Sequence, residues 1–107
     1  MQLLPLAIIH QHKIYRNHIL SYNFNDIAIY PFERECESTR FISNVVIIAN
    51  LYIRDHLNSI PQIGECYINF NDVMNYLQQH NLYLNNGEEP TLISASPSGY
   101  EIINFDY

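Results

Sequence analysis

Between Phe41 and Ala49 the chain reads FISNVVIIA, and within that run Val45-Val46-Ile47-Ile48 places four β-branched residues in succession. Such side chains lose χ1 freedom in a helix and pack well on a pleated surface, and a run without polar alternation has no face to give to water. It reads as a central strand buried on both faces. Whatever else the chain forms must therefore supply neighbours for that strand and cover for its two sides.

The flanking sequence offers both. Leu6 to Ile9 is apolar and strand-like, and His18-Ile19-Leu20-Ser21-Tyr22 leads into Asn23-Phe24-Asn25-Asp26, whose Asn and Asp suit a tight turn. Ile27 to Tyr30 continues as the return strand until Pro31 removes a ladder donor. Near the other end Thr91 to Ala95, a turn at Pro97-Ser98-Gly99 and a return from Tyr100 to Phe105 form a second hairpin. Between them, Leu51 to Leu57 has apolar groups spaced for a short helix, and Pro61 and Gly64 mark a loop. A longer helix is predicted over residues 72 to 80. Asn71-Asp72 would cap its start, Asn81 its end, and Phe70, Val73, Met74 and Leu77 share one face. The class is thus α+β: a mainly antiparallel, β-sandwich-like sheet with a helix near 72–80 and a short one near 51–57. At 107 residues, 48% of them hydrophobic, the chain is sized for one domain with one core.

Eleven acidic against five basic side chains give a formal charge of −6, with Lys13, Arg16, Arg34, Arg40 and Arg54 scattered. A nucleic-acid binder needs clustered cations to displace counterions, so neither nucleic acid nor an anionic membrane is an expected partner. The apolar stretch from Met1 to Ile9 has no cationic residue before it and is cut off at His10-Gln11-His12-Lys13, too soon for a signal peptide or a membrane span. Cys36 and Cys66 form no C-x-x-C pair, which fits reduced structural thiols in a cytosolic protein. The abundance of Asn, Ile and Tyr points to an AT-rich, bacterial coding sequence.

Three clusters bear on chemistry. His10 and His12 would project from one face of a strand, and with His18 nearby they could share a zinc ion, although exposed histidines at strand ends are also common without a ligand. Glu33, Glu35 and Glu37 alternate, so an extended backbone would present three carboxylates on one side, either to a hard cation such as calcium or simply to solvent. Cys36 and Cys66 each follow a glutamate, a poor setting for a nucleophilic thiolate, while His56 and His80 are free to approach one of them in space. With three glycines in all, the chain has neither a phosphate-cradling loop nor a G-x-S-x-G elbow.

Lys13-Ile14-Tyr15-Arg16-Asn17-His18-Ile19-Leu20, then Asp26 to Ile29 and Phe41 to Ile48, resembles the opening of amidohydrolase-superfamily enzymes, whose chains begin with a β-sandwich segment before a metal-binding barrel. Phe70 to Leu77 and Gly87-Glu88-Glu89-Pro90-Thr91-Leu92-Ile93 are similar to the helix and strand by which that family returns to the sandwich. The resemblance implies both halves of a composite sandwich. It departs where the family's Asp-x-His-x-His motif would follow the central strand, since Ala49-Asn50-Leu51-Tyr52 stands there instead. A (β/α)₈ barrel takes about 250 residues and cannot fit between Ile48 and Phe70.

The expectation is a non-catalytic β-rich module acting through a protein partner or as a homo-oligomer, in keeping with nine tyrosines. One alternative is a small metal-binding protein or metal-dependent hydrolase using His10, His12 and His18 with zinc. Another is a small-ligand binder with its pocket between the sheet and the 72–80 helix.

Overall fold

A computed structural model describes residues 1–23, 26–33, 39–63 and 70–103. In chain order it holds β1 (Gln2–His10), β2 (Lys13–Tyr15), β3 (His18–Asn23), β4 (Asp26–Pro31), β5 (Thr39–Ala49), a 3₁₀ helix (Leu51–Asp55), α1 (Phe70–Gln79), β6 (Thr91–Ser96) and β7 (Gly99–Ile102). The described strands form one mixed sheet in the order β4-β3-β1-β5-β6-β7, with β2 paired to β1 as well. β1 and β5 run parallel, and every other described pairing is antiparallel. The expected sheet-dominated α+β class is observed. Both predicted hairpins are present, β3–β4 and β6–β7, and they lie in the same sheet on opposite sides of β5.

β5 fills the central place that its β-branched run requires. Val45 to Ala49 are wholly buried, and each such Ile removed from water contributes roughly 1.5–3 kcal/mol. The alternation of a strand divides its cover. Ala7 and Ile9, Val45 and Ile47, and Ile93 and Ala95 pack with Val73, Met74 and Leu77 of α1. On the other face Ile8, Val46, Ile48 and Leu92 gather with Leu20 and Leu84, and Ile27 and Ile29 of β4 pack against them.

α1 begins at Phe70, two residues before the expected start, so Asn71 and Asp72 lie in its first turn rather than at its cap. Its end is where Asn81 marks it. Asn81 has φ +54°, the Asn81 N–H donates to the Gln78 carbonyl (3.2 Å), and the Leu82 N–H reaches back to the Leu77 carbonyl (2.8 Å). This is a Schellman closure with Asn in place of the usual Gly, sealed by burial of Leu77 and Leu82 in one core. The segment after β5 is a 3₁₀ helix of five residues, shorter than the helix expected near 51–57. Only Ile53 of its residues is buried, while Leu51 and Tyr52 face solvent, so the apolar stripe is too narrow to hold a longer α-helix.

β1 is longer than Leu6 to Ile9, and it is irregular. Its register with β5 shifts between Pro5 and Ala7, and pairing to β3 stops at Leu3 and resumes with β2 only at Ile8. Pro5, which has no N–H to offer, thus sits where β1 has a neighbour on one side. Leu6 thus stands opposite two residues of β5, Ser43 and Asn44, so the extra residue of the bulge is in β5, and Leu6 is left exposed.

Candidate functional site

The three histidines singled out in the sequence take separate positions. His10 ends β1 and pairs with Lys13 across a two-residue hairpin turn formed by Gln11 (φ +49°) and His12 (φ +62°). Positive φ at both central residues is the type I′ pattern, which matches the twist of the flanking strands. The expectation of His10 and His12 on one strand face is therefore corrected: His12 is in the turn, and the i, i+2 rule ceases to apply at His10. The sequence concealed the turn because Gln-His replaces the usual Asn-Gly.

The environments of these histidines differ accordingly. Nδ1 of His10 is buried with no partner among the described residues, and burial lowers the ring's pKa. Nδ1 of His12 lies 3.0 Å from the Tyr83 hydroxyl, and the two rings meet edge to face. Nδ1 of His18 lies 2.7 Å from the Arg16 carbonyl, with its ring against Tyr15. Among the described residues no three of His, Cys, Asp or Glu stand together so as to hold a metal ion. Glu35, Glu37, Cys36 and Cys66 lie outside the described residues.

A different set of rings does come together. His56, which closes the 3₁₀ helix, brings Nδ1 to 2.8 Å from the Tyr76 hydroxyl. One turn further along α1, His80 has its ring 4.2 Å from that of Tyr76 and 5.2 Å from that of His56. Sequence spacing places Tyr76 and His80 on one helix face, but nothing in it brings His56 across.

Three of the grooves that the described residues form bear on function. One, of about 530 Å³, is polar and lies beside β6 and β7, lined by Asn44, Ser94, Ser96 and Glu101 among others. A second, of about 330 Å³, lies at the β1–β2 turn between His10, Asp26, Leu84 and Glu88. The third, of about 390 Å³, is apolar and lies where β1 meets the bulge of β5, lined by Leu4, Pro5, Leu6, Asn17, Phe41, Ile42 and Ser43. No residue of α1 lines any of them, so they are distinct from the expected pocket between helix and sheet, where Val73, Met74 and Leu77 pack directly on the strands.

The apolar groove follows from the local backbone. The bulge exposes Leu6 to 48%, and Phe41, opposite Leu4 on β5, is 62% exposed with its ring edge-on to Phe32. A large exposed aromatic on a regular strand is uncommon enough to need a reason when it adjoins other apolar surface. Pro5 in β1 and the polar pair Ser43-Asn44 in β5, each inside an apolar run, are its sequence signals.

Comparison with protein-family models, with curated proteins and with solved structures returned no match. Among the described residues no helix is long and apolar enough to cross a membrane.

Proposed function

We propose that this chain is a non-catalytic β-rich module that acts through protein contact, and that a second copy of itself is the partner its apolar groove suits best. The observation that carries the reading is the joint exposure of Leu6 and Phe41 beside a groove whose lining, among the described residues, holds no charged side chain. Contiguous apolar surface costs free energy in water and recovers it when covered, and aromatic residues dominate the covered centres of interfaces. A chain of charge −6 repels its own copies over most approaches. A neutral patch carrying both a projecting ring and a groove is the approach at which that repulsion is least, and it is self-complementary in the way a two-fold interface requires.

The barrel-less amidohydrolase-type sandwich remains part of this proposal. What supports the kinship is that both hairpins join one sheet about β5, with only the 3₁₀ helix and loop described between Ile48 and Ile63, although the described strands form a single sheet and not the two packed sheets expected of a sandwich.

The test is sedimentation equilibrium over a wide concentration range, combined with dilution of isotope-labelled protein followed by NMR. A concentration-dependent mass is expected, with dilution shifts centred on Leu6, Phe41 and Ile42. A strictly monomeric chain, or shifts centred elsewhere, would overturn the assignment of the groove.

A further inference from the structure

We propose that His56 and His80 form a two-histidine site for a divalent transition-metal ion of the zinc class, with Tyr76 positioning His56. The first support is distance. At Zn–N bonds of about 2.0–2.1 Å, two imidazoles donating to one tetrahedral ion hold their ring centres about 5 Å apart. Those of His56 and His80 are 5.2 Å apart, with the planes inclined at 48°.

The second support is the hydrogen bond to Tyr76. Nδ1 of His56 and the Tyr76 hydroxyl lie 2.8 Å apart; in the tautomer that binds metal through Nε2, Nδ1–H donates to the phenol oxygen and the lone pair is left on Nε2. Metal-bound histidines are held in this manner, the second nitrogen donating to a fixed acceptor that sets tautomer and ring orientation. The Tyr76 ring also packs on both imidazoles, at 5.8 Å from His56 and 4.2 Å from His80. The His80 backbone N–H donates to the Tyr76 carbonyl (3.1 Å), while its ring makes no side-chain hydrogen bond among the described residues, which leaves a ring nitrogen to meet an ion.

The third support is the backbone. The His56 N–H donates to the Ile53 carbonyl (2.9 Å), and the His56 carbonyl accepts from Ser59 (2.8 Å) and Ile60 (3.1 Å). Ile53 and Ile60 are buried in the same core as Val73 and Leu77, which ties the His56 loop to the helix that carries His80. His80 follows the last residue of α1, at the negative end of the helix dipole. That field, and the chain's net charge of −6, favour a cation. With two protein nitrogens, water completes the coordination, and imidazole donors select zinc, nickel or copper over magnesium or calcium.

The experiment is titration of the whole chain with zinc chloride by calorimetry, alongside histidine-ring ¹H–¹⁵N NMR. One zinc per chain is expected, with Nε2 of His56 and a ring nitrogen of His80 shifting and with Nδ1 of His56 protonated in the bound form. H56Q and H80Q should each weaken binding at least about tenfold, and Tyr76→Phe should also weaken it, by about tenfold or more, while freeing the His56 tautomer. H12Q and H18Q should leave it unchanged. No heat and no ring shift at about 1 mM zinc would overturn the site. So would binding that survives H56Q and H80Q, or shifts confined to other histidines. The ring shifts are read on the unaltered chain, so the site is tested even where a variant fails to fold.

Discussion

The Tyr83 hydroxyl stands between His12 and the helix: it donates to the Met74 carbonyl at 2.9 Å and lies 3.0 Å from Nδ1 of His12. A phenol has one proton, and here it is spent on Met74, so His12 must supply the proton of the second bond. The neutral His12 ring therefore carries its hydrogen on Nδ1. Gln11 makes a parallel tie, its Nε2 donating to the Leu84 carbonyl at 3.2 Å. Two residues in a left-handed turn, a conformation costing about 1–2 kcal/mol each for side chains other than Gly, are thus both fastened to the segment after α1. Tyr83→Phe is expected to destabilise the fold by about 1 kcal/mol. It should also release His12 from the Nδ1–H tautomer, as read from its ring ¹⁵N shifts. A His12 ring already protonated at Nε2 in the unaltered chain would contradict the proton assignment.

The same tyrosine predicts behaviour in alkali. Burial pushes the hydroxyls of Tyr83 and Tyr100 up to about 12, and for Tyr100 this prevails over a backbone hydrogen bond with Ile63 that pulls the other way. The unfolded chain, with tyrosine near 10, gives up these protons first. Their stabilising contribution is therefore whole below about pH 10 and is lost as pH rises towards 12. Urea midpoints should fall across that window, and less steeply in Y83F and Y100F. The Tyr100 change should also lower stability at neutral pH, because its hydroxyl donates to the Pro61 carbonyl at 2.5 Å.

His10 works at the acid end. Burial lowers its pKa, so the unfolded chain takes up the proton first as pH falls. The fold keeps its full stability above about pH 6.5 and loses some below it. Replacing His10 with Gln should flatten the decline below about pH 6.5. His10→Leu should cost nothing at pH 7, since it removes a buried nitrogen without a partner among the described residues. An acid limb unchanged by either substitution would show that other groups account for it.

Asn50 is the buried polar residue on which the second half depends. It is 2% exposed, its Nδ2 donates to the carbonyls of Asn81 (2.7 Å) and Tyr83 (3.3 Å), and its Oδ1 accepts the Tyr52 N–H (3.0 Å). One side chain thus caps the 3₁₀ helix and holds the exit of α1 against the end of β5. Asn50→Ala should cost about 2 kcal/mol. Asn50→Asp, nearly isosteric, should cost more, because it turns a donor into an anion facing two carbonyl oxygens in a place water does not reach. Denaturant unfolding that ranks Asp above Ala in stability would refute this account.

The features that were legible in the sequence depend on local rules. Val45 to Ile48 could only be an interior strand, and Asn81 ended the helix because Asn tolerates the left-handed conformation. What escaped notice depends on distant partners. Gln11-His12 carries none of the usual turn residues, and its conformation is held by Tyr83 and Leu84, more than seventy residues away. Asn50 is one asparagine among many in the sequence, and only the fold sets the carbonyls of Asn81 and Tyr83 around it. The candidate sites divide in the same way. His10-Gln11-His12 was conspicuous as text yet is split by a turn, whereas His56 and His80 meet only because Ile53, Ile60 and Leu77 share a core.

The contact surface gives the last prediction, in which stability and association should part company. Phe41 is 62% exposed, so Phe41→Glu should alter unfolding free energy by no more than about 0.5 kcal/mol. In an interface built on the groove, the same ring would lie at the covered centre. There a charge opposite its own copy is both desolvated and repelled, and a loss of about 2 kcal/mol or more, some thirtyfold in the dissociation constant, is expected. Leu6→Glu, on the other lip, should act similarly, whereas Tyr52→Glu, equally exposed but away from the groove, should not. Sedimentation of the three variants at matched concentration separates the possibilities. Equal association in all three would mean that copies meet elsewhere and that the apolar groove is not the surface through which this chain acts.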